Sequence, residues 1–236
     1  MMDGFTDIHH HLMYGMDDGP ETLQEAQAML RAAGEDGIRE IVVTPHVVPG
    51  IEPFAYAVYR DRLEELADYA GREGISLKPG AEIFFTEAAR RHLDERRVPT
   101  LADTRCVLAE FSPDVPYKAL LDAAESLLIG GYLPVLAHVE RYHCLMSRSQ
   151  RAVELKKQLD VRFQINCSTV VMGRGLAVNR FCKRLFEDGL VDAVATDAHN
   201  VGSRPVMMTE AYRVLKKRYG EGYAGYLTGI GGGVVS

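Results

Sequence analysis

Cysteine is scarce and dispersed in this sequence. Cys106, Cys144, Cys167 and Cys182 show no CxxC spacing, which argues against a disulfide framework or a thiolate zinc site and leaves reduced thiols in a cytoplasmic chain. No uninterrupted apolar run approaches the roughly 20 residues of a bilayer crossing, and no basic stretch leads into a hydrophobic core at the N-terminus. Neither membrane insertion nor a secretory leader is therefore expected. Basic residues are in deficit: 27 Lys and Arg face 33 Asp and Glu, a formal charge of -6 that argues against a general nucleic-acid surface. Proline-rich linkers, low-complexity segments and internal repeats are missing as well, so residues 1–236 are expected to form a single domain.

What the chain does contain is a regular alternation. Seven short apolar or β-branched runs occupy 5–9, 38–44, 76–83, 105–110, 133–138, 162–166 and 191–196. Segments with helical spacing lie between and after them, at 22–33, about 54–71, 86–92, 118–129, 150–159, 178–188 and 204–219. The first opens on a Thr22/Glu25 capping box and carries Leu23, Ala26, Met29, Leu30 and Ala33 on one stripe. Gly34, Gly37, Gly71, Gly74, Gly130, Gly131 and Gly189 stand where helices should stop. Strands such as Ile41-Val42-Val43 are apolar on both faces, as strands covered by helices should be. Strict alternation predicts an α/β fold with a mainly parallel sheet, either doubly wound or closed into a barrel.

Six of the seven runs end in His, Asp or Glu. The first ends in Asp7-Ile8-His9-His10-His11, the second at His46 and the third at Glu82. The fourth ends at Glu110, the fifth at His138 with Arg141 just beyond, and the seventh at Asp197 and His199. A single histidine at a strand end is more often structural than not, and Asp17-Asp18 before Gly19-Pro20 reads equally well as a turn. The coincidence on one end of successive strands outweighs those separate readings. In a parallel barrel these ends converge on one rim, so the pattern favours the barrel. Imidazole mixed with carboxylate suits Mn, Fe, Zn or Co better than Mg or Ca. His9 and His11, two apart on an extended segment, point the same way, while His10 should face away. A carboxylate such as Glu82 can bridge two cations and sharpen a bridging water into hydroxide. Arg141 and Arg204 add guanidinium forks matched to phosphate oxygens, which points to phosphoester hydrolysis. A cysteine-based mechanism is not needed: "CLMSRSQR" is one residue too long for the CxxxxxR loop and lacks its glycines.

The stretches "DIHHHLMYGMDDGP", "TPHVV", "GAEIFFT", "RRVPTL", "LAEFS", "PVLAHVERY", "QINCST", "ATDAHN" and "RPVMMTEAY" resemble the PHP (polymerase and histidinol phosphatase) superfamily. More closely, they resemble its capsule-associated, manganese-dependent protein-tyrosine phosphatases of the CpsB/CapC type. That resemblance implies a distorted (β/α)7 TIM-like barrel holding three divalent metal ions. It places His9, His11, Glu82 and Asp197 around the first ion. Glu82, Glu110 and His138 would hold the second, and Asp18, His46 and His199 the third. Arg141 and Arg204 match the phosphate-contacting arginines, and either His199 or a metal-held water would serve as general acid. The implied substrate is a phosphotyrosyl protein, the tail of a bacterial tyrosine autokinase controlling capsule or exopolysaccharide synthesis, and related enzymes suggest a homo-oligomer. Phe84, Phe85, Phe111 or Tyr142 would stack on the substrate ring. The alternatives are a small-molecule phosphatase of the histidinol-phosphate type and a non-catalytic metal-binding module. The resemblance lapses at the C-terminus, where "TGIGGGVVS" stands in place of the family's Asn-Pro turn and basic segment.

Overall fold

The computed structural model describes residues 4–230, so the end of the glycine-rich tail, 231–236, lies outside the described residues. Its strands are β1 Phe5–His10, β2 Ile38–Val43, β3 His46–Val47, β4 Ser76–Pro79, β5 Glu82–Phe84, β6 Cys106–Glu110, β7 Leu133–Leu136, β8 Arg162–Asn166 and β9 Ala193–Ala195. Every pairing is parallel and follows chain order, β1–β2–β4 and then β3–β5–β6–β7–β8–β9. β2 and β3 are one strand interrupted at Thr44-Pro45, and β4 and β5 are one strand interrupted at Gly80-Ala81. Seven strand positions result, matching the seven runs. The last curls round to the first through a bridge between His10 and Ala198. The Asp197 N–H donates to the His9 carbonyl at 2.8 Å, and the His11 N–H to the Ala198 carbonyl at 3.0 Å. The expected α/β barrel is what forms.

The interruptions have local causes. Pro45 has no N–H to give a ladder. A Cβ on Gly80 would sit 2.6 Å from Val42 Cγ1, so only glycine lets the strands approach here. Tyr59 spans the break: its hydroxyl donates to the Val43 carbonyl at 3.1 Å and accepts from the Gly80 N–H at 2.9 Å. Because that hydroxyl is fully buried, Tyr59→Phe leaves two backbone groups without partners. A loss of about 1–3 kcal/mol is expected in urea denaturation. A loss of only a few tenths would mean the hydroxyl is idle.

The helices are α1 Leu23–Glu35, α2 Tyr56–Arg72, α3 Ala89–Asp94, α4 Tyr117–Ile129, α5 His143–Met146, α6 Gln150–Gln158, α7 Cys167–Met172, α8 Leu176–Glu187, α9 Met208–Tyr219 and α10 Glu221–Leu227. The capping box forms as read, with the Thr22 hydroxyl accepting from the Glu25 N–H and the Glu25 carboxylate from the Thr22 N–H. Ala26, Met29, Leu30 and Ala33 are the buried stripe of α1. Two glycines expected to stop helices do not: Gly34 lies inside α1 and Gly71 inside α2. The turns fall three residues later, at Gly37 and Gly74, where φ is +86° and +73°. Large apolar residues pack between sheet and helices. Ile8, Val42, Leu108, Val135, Ala137, Ala193 and Ala195 belong to a second, smaller core cluster. β1 carries a register shift, a three-residue step (Asp7 to His10) set against a two-residue step of β2 (Ile41 to Val43). Such a bulge re-aims side chains. Here Ile8 joins the small apolar cluster while His9 and His11 both reach the carboxyl-end rim.

Candidate metal centre

The rim gathers side chains from six of the seven strand positions. His9 and His11 come from the end of β1, His46 from β3, Glu82 from the first residue of β5 and Glu110 from the last of β6. His138 follows β7, and Asp197 and His199 follow β9. His9, His11, Glu82, His138 and His199 are almost wholly buried, Glu110 less so, and Asp18 and His46 are open to the mouth.

His9 Nε2 and His11 Nε2 lie 3.2 Å apart. Glu82 Oε2 stands 3.2 and 3.3 Å from these nitrogens, and Asp197 Oδ1 stands 3.5 Å from each. Donors held at about 2.0–2.1 Å around a tetrahedral ion stand roughly 3.3–3.4 Å from one another. The hydrogen-bond pattern agrees. Three imidazole nitrogens crowd Glu82 Oε2 at 3.0–3.3 Å, yet that buried oxygen has no aligned hydrogen bond. Lone pairs converging on one point fit a cation.

Two further groupings adjoin the first. His138 Nε2 is 2.9 Å from Glu82 Oε1 and 3.5 Å from Glu110 Oε1. Asp18 Oδ1 is 3.1 Å from His199 Nε2 and 3.5 Å from His46 Nε2. All nine expected ligand residues are thus brought together, with two refinements. His11 also lies within the Asp18, His46 and His199 group. His46 reaches the Glu82/Glu110 pair through its other nitrogen, at 3.0 and 3.6 Å. His10 joins none of the groups: its ring is buried without a partner, and burial lowers its pKa to about 3.

The backs of the ligand rings are tied down. His11 Nδ1 meets Asp17 Oδ2 at 2.7 Å, His9 Nδ1 meets Gln164 Oε1 at 3.2 Å, and His199 Nδ1 meets the Asp197 carbonyl at 3.0 Å. Each contact keeps Nδ1 protonated and turns an unprotonated Nε2 toward the mouth, the arrangement metal-binding histidines use. Asp17 also accepts the N–H of His46 at 3.0 Å and of Gly19 at 2.9 Å. Gln164 passes its amide to Asn166 Oδ1 at 2.8 Å, and Asn166 Nδ2 donates to Asp197 Oδ2 at 2.6 Å. The sixth run, the exception that delivers none of the candidate ligands, thus supplies amides that orient them. The sequence alone does not single out Gln164 or Asn166, and it leaves Asp17 open to a turn reading. The available signal was their i, i+2 spacing at a strand end, the same that singled out His9 and His11.

Backbone strain marks two of these residues: His138 (φ +33°) and Asp197 (φ +52°) adopt left-handed conformations that side chains disfavour. Electrostatics point the same way. Burial opposes charge on Glu82, but the imidazoles of His9, His11, His138 and His46 hold its carboxyl well below the usual range. Burial likewise opposes charge on Asp197, and His9 and His11 overcome it. The same carboxylates raise the pKa of His9 and His11 despite their burial. The cluster demands positive charge. Burial pushes His138 down to about 4 against the pull of Glu82. His199 falls to about 4 through burial, aided by His11 and Arg204, so both imidazoles are neutral donors.

Arg141 Nη2 pairs with Asp197 Oδ2 at 2.7 Å. Arg204 Nη2 pairs with Asp197 Oδ1 at 3.0 Å and its Nη1 with Asp18 Oδ2 at 3.2 Å. Both guanidinium groups are partly open to solvent at the rim. Of the four aromatics expected to meet a substrate ring, Tyr142 is fully buried, packed edge-on against Phe111 and His138, and is out of reach. Phe84, Phe85 and Phe111 line a cleft of about 380 Å³ with Val115 and Pro116.

The profile of the CpsB/CapC family, described as capsular polysaccharide synthesis, matches residues 5–229. Tyrosine-protein phosphatase CpsB of Streptococcus pneumoniae is 34% identical over 226 residues, covering 91% of this chain and 90% of that protein. Tyrosine-protein phosphatase YwqE of Bacillus subtilis is 33% identical over 216 residues, covering 91% of this chain and 85% of that protein. A crystal structure from work on YwqE and the pneumococcal CpsB, described as metal-dependent tyrosine phosphatases, superposes with a TM-score of 0.84 at 31% identity, over 94% of this chain and 91% of that one. Dihydropyrimidinase from Brevibacillus agri shares the fold alone, at a TM-score of 0.56 and 11% identity, over 99% of this chain and 73% of that one.

Proposed function

This chain belongs to the CpsB/CapC family, and on that premise we propose that it is a metal-dependent protein-tyrosine phosphatase working at the rim just described. The observation that carries the reading is the set of four converging donors at 3.2–3.5 Å, flanked by two arginines that share Asp197. His9, His11, Glu82 and Asp197 are assigned to one ion, Glu82, Glu110 and His138 to a second, and Asp18, His46 and His199 to a third. Manganese is the proposed metal, since mixed imidazole and carboxylate donors suit it. Bound there, divalent cations would supply Lewis-acid charge neutralisation and bring the pKa of a water near neutrality.

The residues of the chain do the rest. Arg141 and Arg204, already aimed by Asp197, bind the outer phosphoryl oxygens and stabilise charge as it builds during displacement. Asp18 and Asp197 hold these guanidinium groups in place, so the phosphate meets a prearranged fork. The departing phenol, with a pKa near 10, is a fair leaving group that needs only modest proton help. Held neutral by burial, with His11 and Arg204 contributing, His199 suits a ligand better than a proton donor at pH 7. The apolar cleft of Phe84, Phe85 and Phe111 is assigned to aromatic or apolar parts of the substrate. No helix among the described residues is long and apolar enough to cross a membrane. The family's link to capsule synthesis supports a cytoplasmic tyrosine-kinase tail as the substrate.

The deciding experiment is elemental analysis of protein purified without chelator, with turnover of a phosphotyrosyl peptide and of histidinol phosphate measured before and after stripping. Expected are three manganese equivalents, preference for the peptide, loss of turnover on stripping and recovery on adding manganese. Faster hydrolysis of histidinol phosphate would move the enzyme to the small-molecule branch. A folded protein without metal or turnover would leave only a binding module.

A further inference from the structure

Phe186 of α8 and Tyr219 of α9 stack with ring centroids 5.2 Å apart. Together these helices carry seven Lys and Arg against two carboxylates, in a chain whose formal charge is -6. With α7 they enclose a groove of about 520 Å³ that no Asp or Glu lines. Cys182, Phe186 and Leu215 form part of its lining, and Met172 and Leu176 are 68% and 86% exposed. Acids at i+4 often partner the cations of a solvated helix face. α8 does this away from the groove with Arg184 and Asp188, and once in it with Lys183 and Glu187, each at 3.6 Å. Arg180 and Arg218, both lining the groove, have no carboxylate partner among the described residues. One lining residue is tied to the rim through a buried contact: the Thr169 hydroxyl donates to Glu140 Oε1 at 2.9 Å, and Glu140 directly precedes Arg141.

Resting on the phosphatase reading above, we propose that this groove docks an acidic stretch with apolar side chains, flanking the phosphotyrosine of the substrate protein and leaving the rim on its Arg141 side. Acidic residues meet Arg180 and Arg218 while an apolar side chain packs against the exposed Met172 and Leu176. A concave, apolar-floored groove fits a peptide side chain rather than the plane of a lipid surface. The chain thereby gains selectivity for substrate sequence without altering the chemistry at the rim.

The test compares a short phosphotyrosyl peptide with the same peptide extended by a Glu/Asp/Leu-rich segment, using the metal-loaded enzyme and an R180E/R218E double variant. The extended peptide should be favoured about tenfold in kcat/KM at low salt, through lower KM. The double variant should lose that preference while hydrolysing the short peptide at the normal rate. Equal kcat/KM for the two peptides, or a preference that survives in the double variant, overturns the proposal. So does binding to phosphatidylserine vesicles through these arginines without peptide preference, which would make the patch a lipid contact. If neither peptide is hydrolysed, the phosphatase reading fails instead. Fluorescence anisotropy of the acidic segment alone, with wild type and the double variant, then still decides the groove.

Discussion

Glu82→Gln is expected to lower phosphotyrosine turnover by roughly a thousandfold and to remove two metal equivalents, with little change in the cold fold. The size follows from position. Glu82 is fully buried, and its two oxygens face four imidazoles, Oε2 toward His9, His11 and His46 and Oε1 toward His138. A glutamine keeps the volume but replaces one oxygen with an amide that cannot donate a lone pair, so one ion loses a ligand and both lose the bridging charge. Elemental analysis and circular dichroism on the same sample separate metal loss from unfolding. Full metal occupancy with turnover within tenfold of wild type would sink the bridging assignment.

The second large effect is expected at a residue that touches no metal in this scheme. Asp17→Ala should weaken metal retention, read as the chelator concentration that half-empties the protein, by about 10–100-fold. Asp17 holds His11, the backbone of His46 and the turn that presents Asp18, so its loss loosens ligands of two proposed ions at once. Burial opposes its ionisation, but hydrogen bonds led by His11 keep its pKa at about 2. Asp17→Asn is the informative companion. An amide can keep its oxygen toward His11 and His46 and give up only the Gly19 bond, so its retention should fall between alanine and wild type. Alanine and asparagine variants that both hold metal like wild type would show that Asp17 is a turn residue only.

Much of this architecture is legible in the sequence because two periodicities are clean. Alternating apolar runs placed all seven strand positions, and the Thr22/Glu25 pair placed the start of α1. The candidate ligands are legible because their residue types recur at strand ends, where a parallel barrel collects them. What escaped depends on contacts distant in sequence. α7 begins at Cys-Ser-Thr-Val-Val, whose β-branched residues argue for a strand. Glu140 overrides this by accepting the Asn166 N–H at 3.0 Å and the Thr169 hydroxyl at 2.9 Å, turning the chain into a helix. Composition and spacing alone do not separate Asp17 from Asp18; the family resemblance picks Asp18, and the fold aims Asp17 inward and Asp18 at the mouth.

The barrel's seam carries a consequence of its own. Thr196, just past the final strand, binds Asp7 on the opening one across 189 positions of chain, and the His10–Ala198 bridge lies beside it. Any cation shared by His9, His11 and Asp197 would be a clasp between these two margins, closing nearly the longest loop the polypeptide can make. Cation supply would then govern not only catalysis but whether the cylinder stays shut, with thermal resistance climbing as the logarithm of free metal.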